Sequence, residues 1–574
     1  MDYQTIIETF FCMLGRFDFD RAKSYIDGRK EVFQKLAPTF PNQYQLLSML
    51  TTFSHLAEVE KSYHNQPYPQ NQSQNHHLFL PSTNFLRKTK TLKEMYNDIL
   101  AELQQLEQLE ASAINRKPRN ELSPSSTRTN IISSPSEGNI SNSQSPISTQ
   151  NSHQILAKMH SKQSGGSTSS GDQQSSNSSS VDKDSPGTQV PQSPSAAFRN
   201  SFFRVLSPIS GSTVQSTITS SSHPYSSSSN SGFEPPPNST NTTPVTTTLN
   251  MREFSEKLIS HFCSQLQAFI HARLDMIDVY EKLTEALGKK FAPVDGIAFR
   301  LSMLCRQYHK YFHHPLLAPI KEGMTLECES LMTLIRATID IQHWRFLQSL
   351  YDLQDAQTKL NYWAASTFNK ESNKRRFKVS KTQTAPRLYE WLCKFKEFLS
   401  AKFTLYFHAV LSKSYPPSSF KSACSKLSID YYSKLSSFQR KVDVVFVALM
   451  YDVSNEKDFR GIGYRYPSQD CQQPHGKNTL QPMIVIPSES RVKLNSLQAE
   501  IYMIVMTNQQ VMMKTGFYQF HDNMKKLTYS MTKPDFNVFL VIVCDGQKSD
   551  RDTNVRIFSH EISNLFSFSN IFLA

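Results

Sequence analysis

Two histidines four residues apart, His309 and His313, have the spacing in this chain best suited to chemistry. On one helix they would share a face, as paired metal ligands do. The pattern is H-x-x-x-H, however, without the general-base glutamate of H-E-x-x-H, because Lys310 holds that place and would repel a dication. His314 follows directly, and Pro315 and Pro319 stop the helix. Tyr308–Ile320 therefore reads better as a proline-bounded corner between two helices. Leu316, Leu317 and Ile320 are expected to plug its apolar side, and His313 and His314 to hydrogen-bond carbonyls freed at the helix end.

Other reactive residue types are scattered. Asp545, Asp550 and Asp552 gather with Lys548 and Arg551 near the last apolar run, where an acidic loop could hold a metal. Mixed charges at a helix start read instead as capping and solvation. Gly461-Ile462-Gly463 lacks the third glycine of a dinucleotide fingerprint, since Tyr466 stands there, and is read as turn. No phosphate-binding G-x-x-x-x-G-K-[ST] and no G-x-S-x-G elbow occurs. The eight cysteines (Cys12, Cys263, Cys305, Cys328, Cys393, Cys424, Cys471 and Cys544) form no C-x-x-C pair and suit free thiols in a reducing compartment. The sequence assigns no catalytic, cofactor-binding or metal-ligating residue, and no cofactor.

The elements that would position these residues are mostly helical. Ile6, Ile7, Phe10, Phe11 and Leu14 lie at helical spacing up to Gly15, and no basic lead or cleavage site marks a signal peptide. Helices are expected over Phe19–Leu36 and Tyr44–Tyr63 and around Leu92–Leu106. The most sustained periodicity runs from Met251 to Leu287 and stops at Gly288. A helix over Gly296–Phe312 leads into the corner. One further pattern extends from Leu326 through Leu353 towards Trp363, and another from Pro386 to Val410. Past Pro417 the period changes to apolar, β-branched runs: Val442–Tyr451, Met483–Ile486, Ile501–Met506 and Phe536–Cys544 are expected as strands, and Asp550–Phe566 as a closing helix.

The fold class expected is α plus α/β: an N-terminal antiparallel helical bundle, then a smaller C-terminal α+β domain of roadblock- or longin-like kind. Residues 1–118 form the first part of the bundle and 250–415 the second. Residues 119–249 are a disordered Ser/Thr/Asn/Pro-rich insertion, and 416–574 the α+β domain. The insertion holds six Ser-Pro pairs, from Ser123 to Ser207, open to proline-directed phosphorylation, and one apolar island, Phe198–Leu206. No apolar run reaches the roughly 18 residues that a membrane span needs. The net charge is +13. The clearest basic cluster (Lys370, Lys374, Arg375, Arg376, Lys378 and Lys381) reads as a solvated loop.

Six runs, in chain order, resemble one family: E-T-F-F (Glu8–Phe11), A-E-V-E-K-S-Y-H (Ala57–His64), Q-A-F-I-H-A-R-L-D-M (Gln267–Met276), F-H-H-P-L-L-A-P-I (Phe312–Ile320), A-K-F-T-L-Y-F-H (Ala401–His408) and K-S-D-R-D (Lys548–Asp552). The family is the second subunit of the KICSTOR complex. The resemblance implies a non-enzymatic component of a lysosome-associated scaffold. That scaffold holds the GATOR GTPase-activating complex near the Rag GTPases and restrains TOR kinase signalling when amino acids or glucose are scarce. The implied partners are kaptin, an FG-GAP repeat protein and a very large scaffold protein, with GATOR bound indirectly. The implied location is the cytoplasm, with recruitment to the lysosomal surface through partners alone. A homodimer is left open and no nucleic acid is expected. Two other classes remain alternatives: an enzyme using the α+β domain, and a nucleic-acid binder using the basic loop, although that loop has no aromatic platform.

Overall fold

The computed structural model describes residues 3–35, 43–65, 90–115, 245–288, 294–367, 385–456, 459, 473–547 and 553–568. Several sequence features lie outside them: the Ser-Pro pairs, the Phe198–Leu206 island, the Lys370–Lys381 cluster, Gly461 and Gly463, and Lys548–Asp552. Most of the expected 119–249 insertion does too, although a helix already begins at Val245.

The described N-terminal part is helical: α1 (Tyr3–Leu14), α2 (Phe19–Lys35), α3 (Gln43–Asn65), α4 (Leu92–Asn115), α5 (Val245–Gly288) and α6 (Asp295–Tyr311). In α1, Ile6, Phe10, Phe11 and Leu14 form one buried stripe, and Phe10 stacks on Phe53 of α3 at 5.1 Å. Gly15 ends α1 where no side chain fits: a Cβ there would stand 2.7 Å from the Pro319 Cβ and 2.8 Å from its backbone. The start of α4 is a capping box, with Glu94 N–H donating to Thr91 Oγ1 (3.2 Å) and Thr91 N–H to Glu94 Oε2 (2.8 Å).

After the corner come α7 (Ala318–Gln342), α8 (Phe346–Thr367), α9 (Arg387–Tyr406), α10 (His408–Ser414), α11 (Pro417–Cys424) and α12 (Tyr431–Lys441). The single pattern expected from Leu326 to Trp363 is thus two helices. It breaks at Trp344, whose φ of 54° is a left-handed conformation that a bulky residue rarely adopts. Tertiary partners hold it there: the indole Nε1 donates to the Tyr406 carbonyl (3.1 Å), and the ring packs on Tyr451 at 4.8 Å. Periodicity carried through the break because both helices bury apolar residues against the same core.

The C-terminal part forms an antiparallel five-stranded sheet in the order β2-β1-β5-β4-β3, where β1 is Phe446–Asp452, β2 Leu480–Ile486, β3 Tyr518–Asp522, β4 Leu527–Asp535 and β5 Val538–Asp545. The remaining helices are α13 (Arg491–Thr515), between β2 and β3, and α14 (Thr553–Phe566). Strand alternation divides the sheet between two cores. Val447, Leu449, Tyr451, Leu540 and Ile542 join the core of the helical part, whereas Phe446, Ala448, Met450, Phe539 and Val541 face α13.

Three expectations fail here. Ile501–Met506 is not a strand but the middle of α13, where Leu494, Leu497, Ile501 and Val505 are buried at three- and four-residue steps. A short β-branched run carries no period of its own, and the wider window decides. Val442 closes α12 instead of opening β1, its N–H donating to the Phe438 carbonyl. The hairpin β3–β4 is a further pair of strands that apolar runs did not reveal. Its turn is set by Asp522, whose Oδ1 accepts from the N–H of Met524 (2.9 Å) and of Lys525 (3.2 Å).

Candidate functional site

The stretch is a turn between α6 and α7, with Leu317 and Ile320 buried, and the two histidines share no helical face. Helix α6 ends at Tyr311, so His313 leaves the helical line, and His309 stays exposed on α6. The His313 backbone N–H donates to Gln265 Oε1 of α5 at 2.8 Å. His314 caps the 3-10 turn Pro315–Leu317, its Nδ1 accepting from the Leu316 N–H at 3.2 Å. The ring therefore satisfies a free N–H, the opposite polarity to the carbonyl contact expected. Burial leads in holding the His314 imidazole below its ordinary range, with His261 and His313 adding to it, and an unprotonated Nδ1 is what the cap requires. His261 of α5 completes the corner, 5.8 Å from His313 and 5.7 Å from His314 between ring centroids. Among the described residues no group of three or more His, Cys, Asp or Glu side chains is placed to hold a metal ion.

Charge is concentrated instead in the interior. Arg273 of α5 is 2% exposed, and its guanidinium meets carboxylates from two other helices. Nε and Nη2 donate to the two oxygens of Glu60 on α3 at 3.1 Å each, and Nη1 donates to Glu327 Oε2 on α7 at 2.6 Å. Tyrosines fill the remaining acceptor positions. Tyr96 of α4 donates to Glu60 (2.7 Å), and Tyr63 (2.5 Å) and Tyr280 (3.0 Å) donate to Glu327. The Tyr63 ring lies under the guanidinium at 4.4 Å. Burial alone would push the Glu60 carboxyl up, but Arg273, with His64 and Tyr96, reverses this and holds it at about 2. The cluster ties together α3, α4, α5 and α7, which come from either side of the long undescribed segment.

A second buried charge pair joins helices to sheet. Lys402 of α9, 1% exposed, places Nζ 2.5 Å from Asp535 Oδ2 at the end of β4. Tyr406 donates to the same carboxylate. Phe398, Tyr406, Phe566 and Phe568 surround the ammonium at 5.0–5.8 Å. Beside it, Glu456 accepts from Tyr451 (2.9 Å) and pairs with His343 Nδ1 (2.9 Å) in the α7–α8 turn, and Tyr451 also donates to the Gln342 carbonyl (2.8 Å).

The Glu456 contact leads in raising the His343 imidazole above its ordinary value, against burial. A group raised in the folded state stabilises fully below its unfolded pKa and loses that contribution as pH rises through the folded one. Thermal melting of the full chain should therefore show stability declining as pH rises above about 6.5, a decline that His343→Gln abolishes.

Neither cluster was assigned a role from the sequence, yet each draws some of its members from the runs that carried the family resemblance. Ala57–His64 supplies Glu60 and Tyr63, Gln267–Met276 supplies Arg273, and Ala401–His408 supplies Lys402 and Tyr406. One signal was present: Arg273 sits on the apolar stripe of its helix, four residues after Phe269 and four before Ile277. Of the acidic group near the last strand, Asp545 is exposed and its nearest described cation is Lys493 Nζ at 3.9 Å. Two open grooves flank α6. One of ≈ 420 Å³ is lined by Gln265, His271, Asp275 and Tyr308, and one of ≈ 460 Å³ lies between α6 and α7. No described helix is long and apolar enough to cross a membrane.

Comparison with known proteins agrees with the runs. The family model described as KICSTOR complex C12orf66 like matches residues 2–125 and 239–574. KICSTOR subunit 2 of Xenopus laevis is 33% identical over 322 residues, covering 55% of this chain and 72% of that protein. KICSTOR subunit 2 of Danio rerio is 28% identical over 312 residues, covering 54% of this chain and 69% of that protein.

Proposed function

The chain belongs to the KICSTOR complex C12orf66-like family, and on that premise we propose that it is a non-catalytic scaffold subunit of a KICSTOR-like assembly. In this reading it helps place the GATOR GTPase-activating complex at the lysosomal surface and so restrains TOR kinase signalling during amino-acid or glucose starvation. Its partners are kaptin-like, FG-GAP repeat and large scaffold subunits, and it reaches the membrane through them. The observation that carries the proposal is the family match on both sides of residues 126–238. Its support in the structure is that three family-like runs supply Glu60, Arg273 and Lys402 of the buried ion clusters.

The finer architecture belongs to the same proposal. Residues 1–118 and 250–415 are the two parts of one antiparallel bundle interrupted by the 119–249 insertion, and 416–574 is an α+β domain of roadblock- or longin-like kind. Supporting this last assignment are the strand order 2-1-5-4-3 and a helix between the second and third strands.

The functional test is genetic. Cells lacking the chain should keep phosphorylating TOR kinase substrates after amino acids are withdrawn, and re-expression should restore the response. Normal loss of that phosphorylation in the deleted cells would count against the proposal.

A further inference from the structure

Helix α6 packs against α5 and α7 and still carries an apolar stripe on its outer side. Phe299 is 70% exposed and Met303 49%, and Arg306 and Lys310 continue the same line at three- and four-residue steps. Beside this stripe runs the ≈ 460 Å³ groove between α6 and α7. Its apolar lining includes Tyr308, Phe312, Met324 and Cys328, all buried. Arg306, His309, Lys310 and Lys321 stand around it, and none of the four makes an ion pair with a described residue. The carboxylate that lines the groove, Glu329, does not cancel them, because Lys359 of α8 already pairs with it at 3.4 Å. Glu329 also lies roughly 12 Å along α7 from Lys321. The groove is thus cationic at the end beside the histidine corner, and its other end holds a closed ion pair.

From this arrangement we propose that the α6–α7 groove docks an acidic amphipathic helix of a partner protein, its apolar side chains on the groove floor and its carboxylates over the corner end. Two packed helices leave a furrow that a third can fill, and such docking takes its anchors at three- and four-residue steps. The outer face of α6 from Phe299 to Tyr311 spans about 18 Å, which matches about three turns of a partner helix.

Charge selects the partner and sets its direction. Asp or Glu side chains over Arg306, Lys310 and Lys321 gain attraction, whereas a basic helix would face cations that no described carboxylate offsets. An anionic membrane shares the charge but not the shape, because the buried floor is recessed and a bilayer surface meets protruding side chains. The inference goes beyond the scaffold reading and stands without it, since this chain's own residues define the docking face.

The test uses the purified full chain and a fluorescein-labelled synthetic peptide of about twenty residues, with leucines at helical spacing and glutamates gathered in one half. Anisotropy at low salt should show saturable binding that weakens about tenfold or more in Lys310→Glu/Lys321→Glu, and also in Met303→Glu. The same reversals at Lys426 and Lys477, exposed cations that do not line the groove, should leave binding unchanged. A benzophenone in place of one leucine should cross-link to α6 or α7 in the parent chain, a readout that poor folding of a variant does not blunt. Absence of saturable binding, equal binding of a peptide with lysine in place of glutamate, equal loss from both pairs of reversals, or cross-links elsewhere would overturn the inference. So would tighter binding to phosphatidylserine vesicles than to the peptide, lost in Lys310→Glu/Lys321→Glu, which would assign the face to a membrane.

Discussion

Replacing Arg273 with methionine should destabilise the full chain by about 3–5 kcal/mol, read as a lowered denaturant midpoint in equilibrium unfolding. The size follows from what is left behind. Methionine keeps much of the packing against Tyr63 and Phe269, but it strands Glu60 and Glu327 in a site where both are 2% exposed or less. A carboxyl held at about 2 against its ordinary 4.5 corresponds to roughly 3 kcal/mol of favourable interaction, the same scale. The pH dependence should change sign as well. In the parent, the depressed Glu60 contributes stability above its unfolded pKa and loses it as pH falls towards 2. In the variant burial at Glu60 is no longer offset by the guanidinium, so acidification should recover part of the loss. A variant that unfolds at the parental midpoint would mean that the cluster is not what holds these helices in register.

The second large effect is expected at the junction of helices and sheet. Lys402→Met should cost about 3 kcal/mol, because Asp535 loses the ammonium that stands 2.5 Å from it while remaining nearly buried. Asp535→Asn should cost a similar amount by stranding the ammonium among aromatic rings. The double replacement should be much less harmful than the sum, giving a coupling energy above about 1.5 kcal/mol in a double-mutant cycle. Hydrogen exchange adds a spatial readout. Amides of β4, β5 and α9 should lose protection in Lys402→Met, while those of α2 and α3, far along the chain from the pair, should hold theirs. Uniform loss across the chain would argue that the junction has no separate role.

These two clusters also mark where the sequence stopped being legible. The long helices before the sheet could be read because they carry sustained apolar stripes, and β1, β2 and β5 because they are apolar on both faces, whereas the short helices Pro417–Cys424 and Tyr431–Lys441 were not read. Ile501–Met506 misled because six apolar residues fit a strand or a helix equally well. The break at Trp344 had no local signal, since neither glycine nor proline marks it and the left-handed backbone is held by Tyr406 and Tyr451, more than sixty residues away in sequence. The spacing of His309 and His313 suggested a shared face that the end of α6 at Tyr311 removes. Arg273 and Lys402 were visible as charges among apolar neighbours, but which carboxylate each would meet is a tertiary fact. The runs that suggested a family did so without revealing why they cohere. Several of them supply the contacts between elements distant in sequence, where a substitution on one side strands a partner on the other.

Purification puts the scaffold reading to its most direct test. The tagged chain, and a version in which a short linker replaces residues 126–238, should each be recovered from native extract under low-salt conditions and their partners identified by mass spectrometry. The account predicts that both bring down the same kaptin-like, FG-GAP repeat and large scaffold subunits, because the family match and the buried clusters lie outside the excised segment. Recovery of none of these partners by the intact chain, from cells that express them, would contradict it.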